Sequence, residues 1–120
     1  MSMSIVIADP STVALDPAPI TPGWIVEGKP EARAKELARS DDGTSVVVAW
    51  SCTAGRFHWH YSVDETVHVI SGEVWITNED DVERRLGPGD ILIAEDRTGQ
   101  GHVTREVGPA PRVSIFVPLG

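Results

Sequence analysis

From Thr44 onward the chain goes no further than about a dozen residues without a turn signal, and this spacing most constrains its fold. Ala54-Gly55, the polar connection before Glu65, Gly72, Asn78 to Asp81, Gly87-Pro88-Gly89-Asp90, the loop Glu95 to Gly101 and Gly108-Pro109-Ala110-Pro111 punctuate it. Between them lie short runs rich in β-branched and aromatic residues: 46–52, 57–61, 66–71, 74–77, 91–94, 102–107 and 112–117. The run 82–86 is more polar and reads as an edge strand, while 91–94 reads as a buried one. Runs this short cannot complete the helices typical of a core, but they suit strands. Many short strands at even spacing predict an all-β antiparallel barrel or sandwich.

The first 43 residues read differently. Ile5 to Ile7 is a short β-branched run suited to an edge or partner-exchanged strand. Pro10, Pro17, Pro19 and Pro22 then preclude helix and favour an extended arm. Trp24 to Val26 is a further strand candidate. Pro30 to Arg39 is rich in helix formers, so propensity alone predicts one short helix there, although its apolar positions are small except Leu37. Two regions follow: an arm at 1–43 that packs on the barrel or on a partner, and a barrel at 44–120.

Charge narrows the function. Eighteen acidic side chains against ten basic ones give −8. Such a surface disfavours nucleic acid and anionic membrane. The longest apolar runs fall far short of the ~20 residues of a membrane span, and the start lacks the basic segment of a signal peptide. The single cysteine, Cys52, has no internal partner for a disulfide. These features together predict a cytoplasmic protein.

The stretch His58 to Gly72 carries the chemistry. In a strand, side chains two positions apart share a face. His58 and His60 therefore share one face, and Phe57, Trp59 and Tyr61 share the other. After a short polar connection Glu65 opens the next apolar run, so two strands can bring N, N and O donors to one point. Borderline divalent metals favour imidazole mixed with carboxylate. His68 has the opposite parity to Glu65 and faces away. Cys52 reads as a buried small hydrophobe. The acidic run Glu79-Asp80-Asp81 reads as a solvated loop. No nucleophile elbow, phosphate-cradling loop or dinucleotide fingerprint is present.

These residues resemble the cupin superfamily, whose first motif is Gly, five residues, His-x-His, three or four residues, Glu, six residues, Gly. His58-x-His60, Glu65 and Gly72 fit that spacing, although Gly55 stands only two residues before His58. Pro88-Gly89-Asp90 resembles the start of the second motif, with Gly99 and His102 at its later Gly and His. The proline position of that pattern, two residues before Gly99, holds Arg97, and Glu106 replaces the closing Asn. The first half, with Asp16 to Trp24, Trp50-x-Cys52 and Asp64-Glu65-Thr66-Val67, looks like the small cupins related to ureidoglycine-handling enzymes. The second half, Ala94 to His102, looks like another branch in which the His-x-His is often missing.

The resemblance implies a double-stranded β-helix, the jelly-roll barrel, with an extended N-terminal arm. It makes Ala32 to Ala38 extended, against their propensity. It implies one divalent transition metal, Fe, Mn, Ni or Zn, held by His58, His60, Glu65 and His102, with Gln100 an alternative donor to His102. Arg56 and Arg97 flank the presumed mouth and suit a substrate carboxylate. Tyr61 is a candidate acid or base beside them. The function expected is a small metalloenzyme acting on a carboxylate or enolisable substrate. The competing expectations are a binding module for a small apolar acid and a degenerate structural cupin. Exposed sheet edges and the apolar N-terminal run predict a homodimer.

Overall fold

A computed structural model of the chain describes residues 9–43, 46–60, 64–77, 80–94, 102–107 and 112–118, with the backbone alone at 102 and 116–118. The fold is all-β. Among the described residues eleven strands run β1 (Asp16–Pro17), β2 (Ile25–Glu27), β3 (Ala32–Arg39), β4 (Val46–Cys52), β5 (Gly55–Trp59), β6 (Glu65–Ser71), β7 (Glu73–Thr77), β8 (Glu83–Leu86), β9 (Ile91–Ala94), β10 (His102–Val107) and β11 (Arg112–Pro118). They form a six-stranded sheet, β1-β3-β4-β11-β6-β9, and a five-stranded sheet, β2-β5-β10-β7-β8. The strand pairings are antiparallel.

Alternation within the strands builds the core. On β6, Val67 and Val69 are buried while His68 is exposed. On β7, Val74 and Ile76 are buried, and across the β7–β8 ladder Val74 faces Leu86. One apolar cluster joins Val69, Val74, Ile76 and Leu86, with Leu92 against it. A second joins Ile20, Ala32, Trp50, Cys52 and Phe57 near the arm. Each buried side chain of this size contributes about 1.5–3 kcal/mol of transfer free energy.

The arm is extended. Ala32 to Arg39 forms β3, not a helix, and pairs along β4 from Ala32↔Cys52 to Arg39↔Val46. Local propensity yields to tertiary pairing here. Ala32 is buried and Ala34 half-buried, so the small side chains fit against Trp50 and Cys52, while Arg33 and Lys35 face solvent. A register shift between Glu36 and Ala38 absorbs Leu37. Trp24 ends a 3-10 turn at Pro22–Trp24 instead of opening a strand. The N-terminal run Ile5 to Ile7 lies outside the described residues.

β9 departs from expectation. It forms the edge of the six-stranded sheet, and Ile91 and Ile93 are 63% and 60% exposed, while Leu92 and Ala94 turn inward. The run is apolar on both faces, so its composition alone could not show that only one is covered. Gly72 sits at φ 82°, and a Cβ there would lie 2.7 Å from Cα of Arg112. Only glycine admits both the backbone and that approach.

No helix among the described residues is long and apolar enough to cross a membrane.

Candidate functional site in the barrel

β5 sets the character of the barrel interior. Phe57 is 1% exposed, but His58, the next residue, is exposed. Phe57 and His58 therefore alternate as expected, with Phe57 turned inward and His58 outward; the strand ends at Trp59, so His60 lies beyond it. Register explains this. Phe57 stands opposite Thr104, itself buried, and Val103 opposite His58. A shift of one residue would move the whole strand to the other face. Phe57 and Trp59 bury more apolar area than two imidazoles, so packing favours the observed face.

Trp59 then becomes the centre of an aromatic group. Its ring lies 5.4 Å from Trp24, 6.0 Å from Trp50 and 6.1 Å from Phe57, each edge to face. Such pairs add about 0.5–1.5 kcal/mol beyond area burial. His60, just past the strand, lies 5.2 Å from the Trp24 ring.

A cavity opens inside the barrel. Trp50, Phe57 and Trp59 form one wall; Val69, Ile76 and Leu92 lie on others. Its polar lining comes from Thr104 and Arg112. The free space is about 20 Å³ as traced by the centre of a water-sized sphere. That admits about one or two water-sized groups, far less than a drug-sized ligand requires.

Arg112 is fixed by a buried partner. Its Nε donates to Glu106 Oε2 at 2.9 Å and to Oε1 at 3.0 Å, and Nη2 donates to Oε1 as well. Nη1 donates to Ser114 Oγ at 2.7 Å. The guanidinium carbon lies 4.6 Å from the Trp50 ring centre. Burial pushes the Glu106 carboxyl up, while Arg112 holds it down through hydrogen bonds and charge. Beside them Cys52 is pushed up to about 12, first by burial and then by the charge of Glu106, against Arg112. Its thiol is therefore neutral and a poor nucleophile.

Glu65 shares inward parity with Val67 and Val69 and is half-buried. Burial raises its carboxyl above the ordinary 4.5. A five-residue connection, 60–64, links it to Trp59, so it lies at the end of the barrel away from Arg112, whose neighbours across the ladder are Cys52 and, through Val113, Ser71.

The structure thus separates His58 from Glu65. Glu65 turns inward and His58 outward. Among the described residues no group of three or more His, Cys, Asp or Glu side chains is placed to hold a metal ion. The expected four-donor centre is therefore not assembled among the described residues, where His58 faces away from Glu65. His102 pairs by backbone with Trp59; its side chain, with Tyr61, Arg97 and Gln100, lies outside the described residues. Arg56 is not at the Glu65 end. It stands on the outer face opposite Arg105, 3.7 Å from Glu27. His68 is exposed on the outside, as expected.

Sequence reasoning missed Arg112 and its pairing with Glu106. The signal was an acid at an inward position of β10, two residues from Thr104. Its partner, Arg112, follows six residues later at the start of β11.

The fold is widely shared. A protein of unknown function from Pseudomonas syringae pv. tomato aligns over 91% of this chain and 45% of its own, with a TM-score of 0.77 and 18% identity. This chain therefore spans less than half the length of that protein. An ethanolamine utilization protein Q from Salmonella typhimurium aligns over 73% of this chain and 68% of its own, at 0.60 and 18%. A predicted oxalate decarboxylase from Thermotoga maritima aligns over 95% and 96%, at 0.68 and 14%. Among curated proteins no sequence matches the chain. The family model of the EutQ-like cupin domain matches residues 39–108, more than half of the length, and the chain belongs to that cupin family.

Proposed function

We propose that this chain is a binding cupin whose ligand enters the apolar barrel interior. The observation that supports this reading is the inward face of β5: Phe57 and Trp59, not His58, meet the cavity. An aromatic wall with two polar groups is the usual composition of a small-molecule pocket. Arg112 is fixed by Glu106 and Ser114, so it orients a ligand without rearranging. Tryptophan fluorescence tests the reading, because two tryptophans line the cavity. Short alcohols titrated into the protein should quench or shift the emission saturably. Unsaturable change, or saturable change that survives Trp59→Ala, overturns it.

Glu65 favours a second reading. Its inward carboxyl lies at the same end as His60 and as the backbone of His102, which suits a metal-dependent enzyme for a small carboxylate or enolisable substrate. The likeness of the first half to ureidoglycine-handling cupins fits that reading. Elemental analysis of tag-free protein, beside a His58→Ala/His60→Ala variant, separates the two. Near one equivalent of a single transition metal, lost in the variant, supports the enzyme. Less than about a tenth supports the binding module.

A homodimer belongs to either reading. The exposed Ile91 and Ile93 on edge strand β9 support it. A monomer mass by light scattering at micromolar concentration would refute it.

A further inference from the structure

The two sheets carry different outer faces. On the five-stranded sheet the outward charges are matched within the sheet: Arg105 with Glu83 at 2.8 Å, Arg85 with Glu73 at 3.3 Å and Arg56 with Glu27 at 3.7 Å. Exposed ion pairs of this kind are at home in water. The outer face of the six-stranded sheet is mostly apolar. One row across it runs Lys35, Ala49, Ile115, His68, Ile91, each residue opposite the next on the neighbouring strand. In the adjacent row Thr66 stands opposite Ile93. Ile91 and Ile93 are each more than half exposed.

Acid is what this face lacks. The chain has eighteen acidic side chains and a net charge of −8, yet β4, β9 and β11 contain none. The one acid on β6, Glu65, turns inward. The cations Arg33 and Lys35 lie at the margin on β3, with Lys35 3.9 Å from Asp16. Two copies of so acidic a chain repel each other in most orientations. Across this face they can approach without opposing carboxylates, and each removes isoleucine surface from water. A second copy also offers the matching shape, because pleated apolar sheets pack face to face about 10 Å apart. From β3 to β9 the face spans four strand spacings, about 19 Å, along strands about 20 Å long. That outline of about 400 Å², enlarged by the pleated side chains, approaches the roughly 800 Å² that each partner gives to a stable interface.

Resting on the homodimer proposed above, we infer that two copies of this chain associate through the outer faces of their six-stranded sheets. Ile91, Ile93, Ile115 and His68 are buried between the copies, and Arg33 and Lys35 stand at the wet rim. The ion-paired face of the five-stranded sheet stays in solvent.

Analytical ultracentrifugation of the full chain tests it. Ile93→Glu and His68→Glu each place a carboxylate on the face, at positions whose side chains are exposed in the single copy. Each should raise the dimer dissociation constant at least tenfold and leave the far-UV circular dichroism spectrum unchanged. Val26→Glu, at an exposed apolar position on β2 of the other sheet, should leave the dimer as it is. Raising salt from about 20 to about 300 mM should tighten the parent dimer, because screening weakens the repulsion between the two copies. A parent that is monomeric at micromolar concentration refutes the homodimer, and the inference with it. A dimer that survives either glutamate variant in folded form, or that Val26→Glu dissociates as readily, overturns the inference and leaves the homodimer standing. A dimer that salt weakens is held by the ion-paired face, which overturns the inference in the same way.

Discussion

Arg112 and Glu106 meet across the two sheets with side chains only 5% and 1% exposed. The pair closes one end of the barrel and leaves that end uncharged. Removing one partner would strand the other in a dry site. Glu106→Ala or Arg112→Ala should each cost about 3–5 kcal/mol of stability. The double change Arg112→Met with Glu106→Leu should recover most of that loss, because an apolar pair of similar volume needs no partner. Urea denaturation of the three variants measures this, and a double variant as unstable as the singles would refute it.

Glu65 makes stability fall with pH. Burial raises its carboxyl in the folded chain above the ordinary 4.5. The folded state then keeps a proton that the unfolded state has released, so stability falls as pH rises from about 4.5 through the raised value. It stays at the lower level above that. Glu106 is shifted in the same direction, so the parent slopes for two reasons. The difference between parent and Glu65→Gln isolates one of them. That difference should grow in favour of Glu65→Gln across the window and be flat above it. Denaturation at a series of pH values reads the slope directly.

Cys52 should be inert in the native chain. It is 1% exposed, its thiol is pushed up to about 12, and its Sγ donates to Thr53 O at 3.3 Å. The thiolate is the reactive form. At pH 8 a thiol reagent should label it no faster than the chain opens, and at once in denaturant. Rapid stoichiometric labelling of the folded protein would mean that the site is accessible.

His58 and Phe57 are neighbours with opposite fates. His58 is exposed, and His58→Ala should change stability by no more than about 0.5 kcal/mol. Phe57 is buried among Trp50, Cys52 and Ala32, and Phe57→Ala should cost about 3–5 kcal/mol. Thermal melts decide the comparison. A large loss in the histidine variant would mean that β5 is turned the other way.

Much of this was legible in one dimension. Strand and turn follow from period and punctuation, which are local properties, so the β-rich pattern after Thr44 and the turns at Gly72 and Gly87 to Asp90 could be read directly. The alternation of Phe57 with His58 follows from the same period of two. Which face looks inward does not, because it depends on the partner strand. The ladder from β5 to β10, with Thr104 opposite Phe57, turned the aromatic side in. Ala32 to Arg39 carries helix formers, but the chain spends them in β3 because β4 offers hydrogen bonds and a place for small side chains. The exposed isoleucines of β9 and the dry pair of Arg112 with Glu106 depend on which segments end up as neighbours. Sequence determined the elements and their periodicity, since these arise from each residue and those beside it. Tertiary structure decided which side of each strand became the interior, since burial is a property of two surfaces and no single strand contains both.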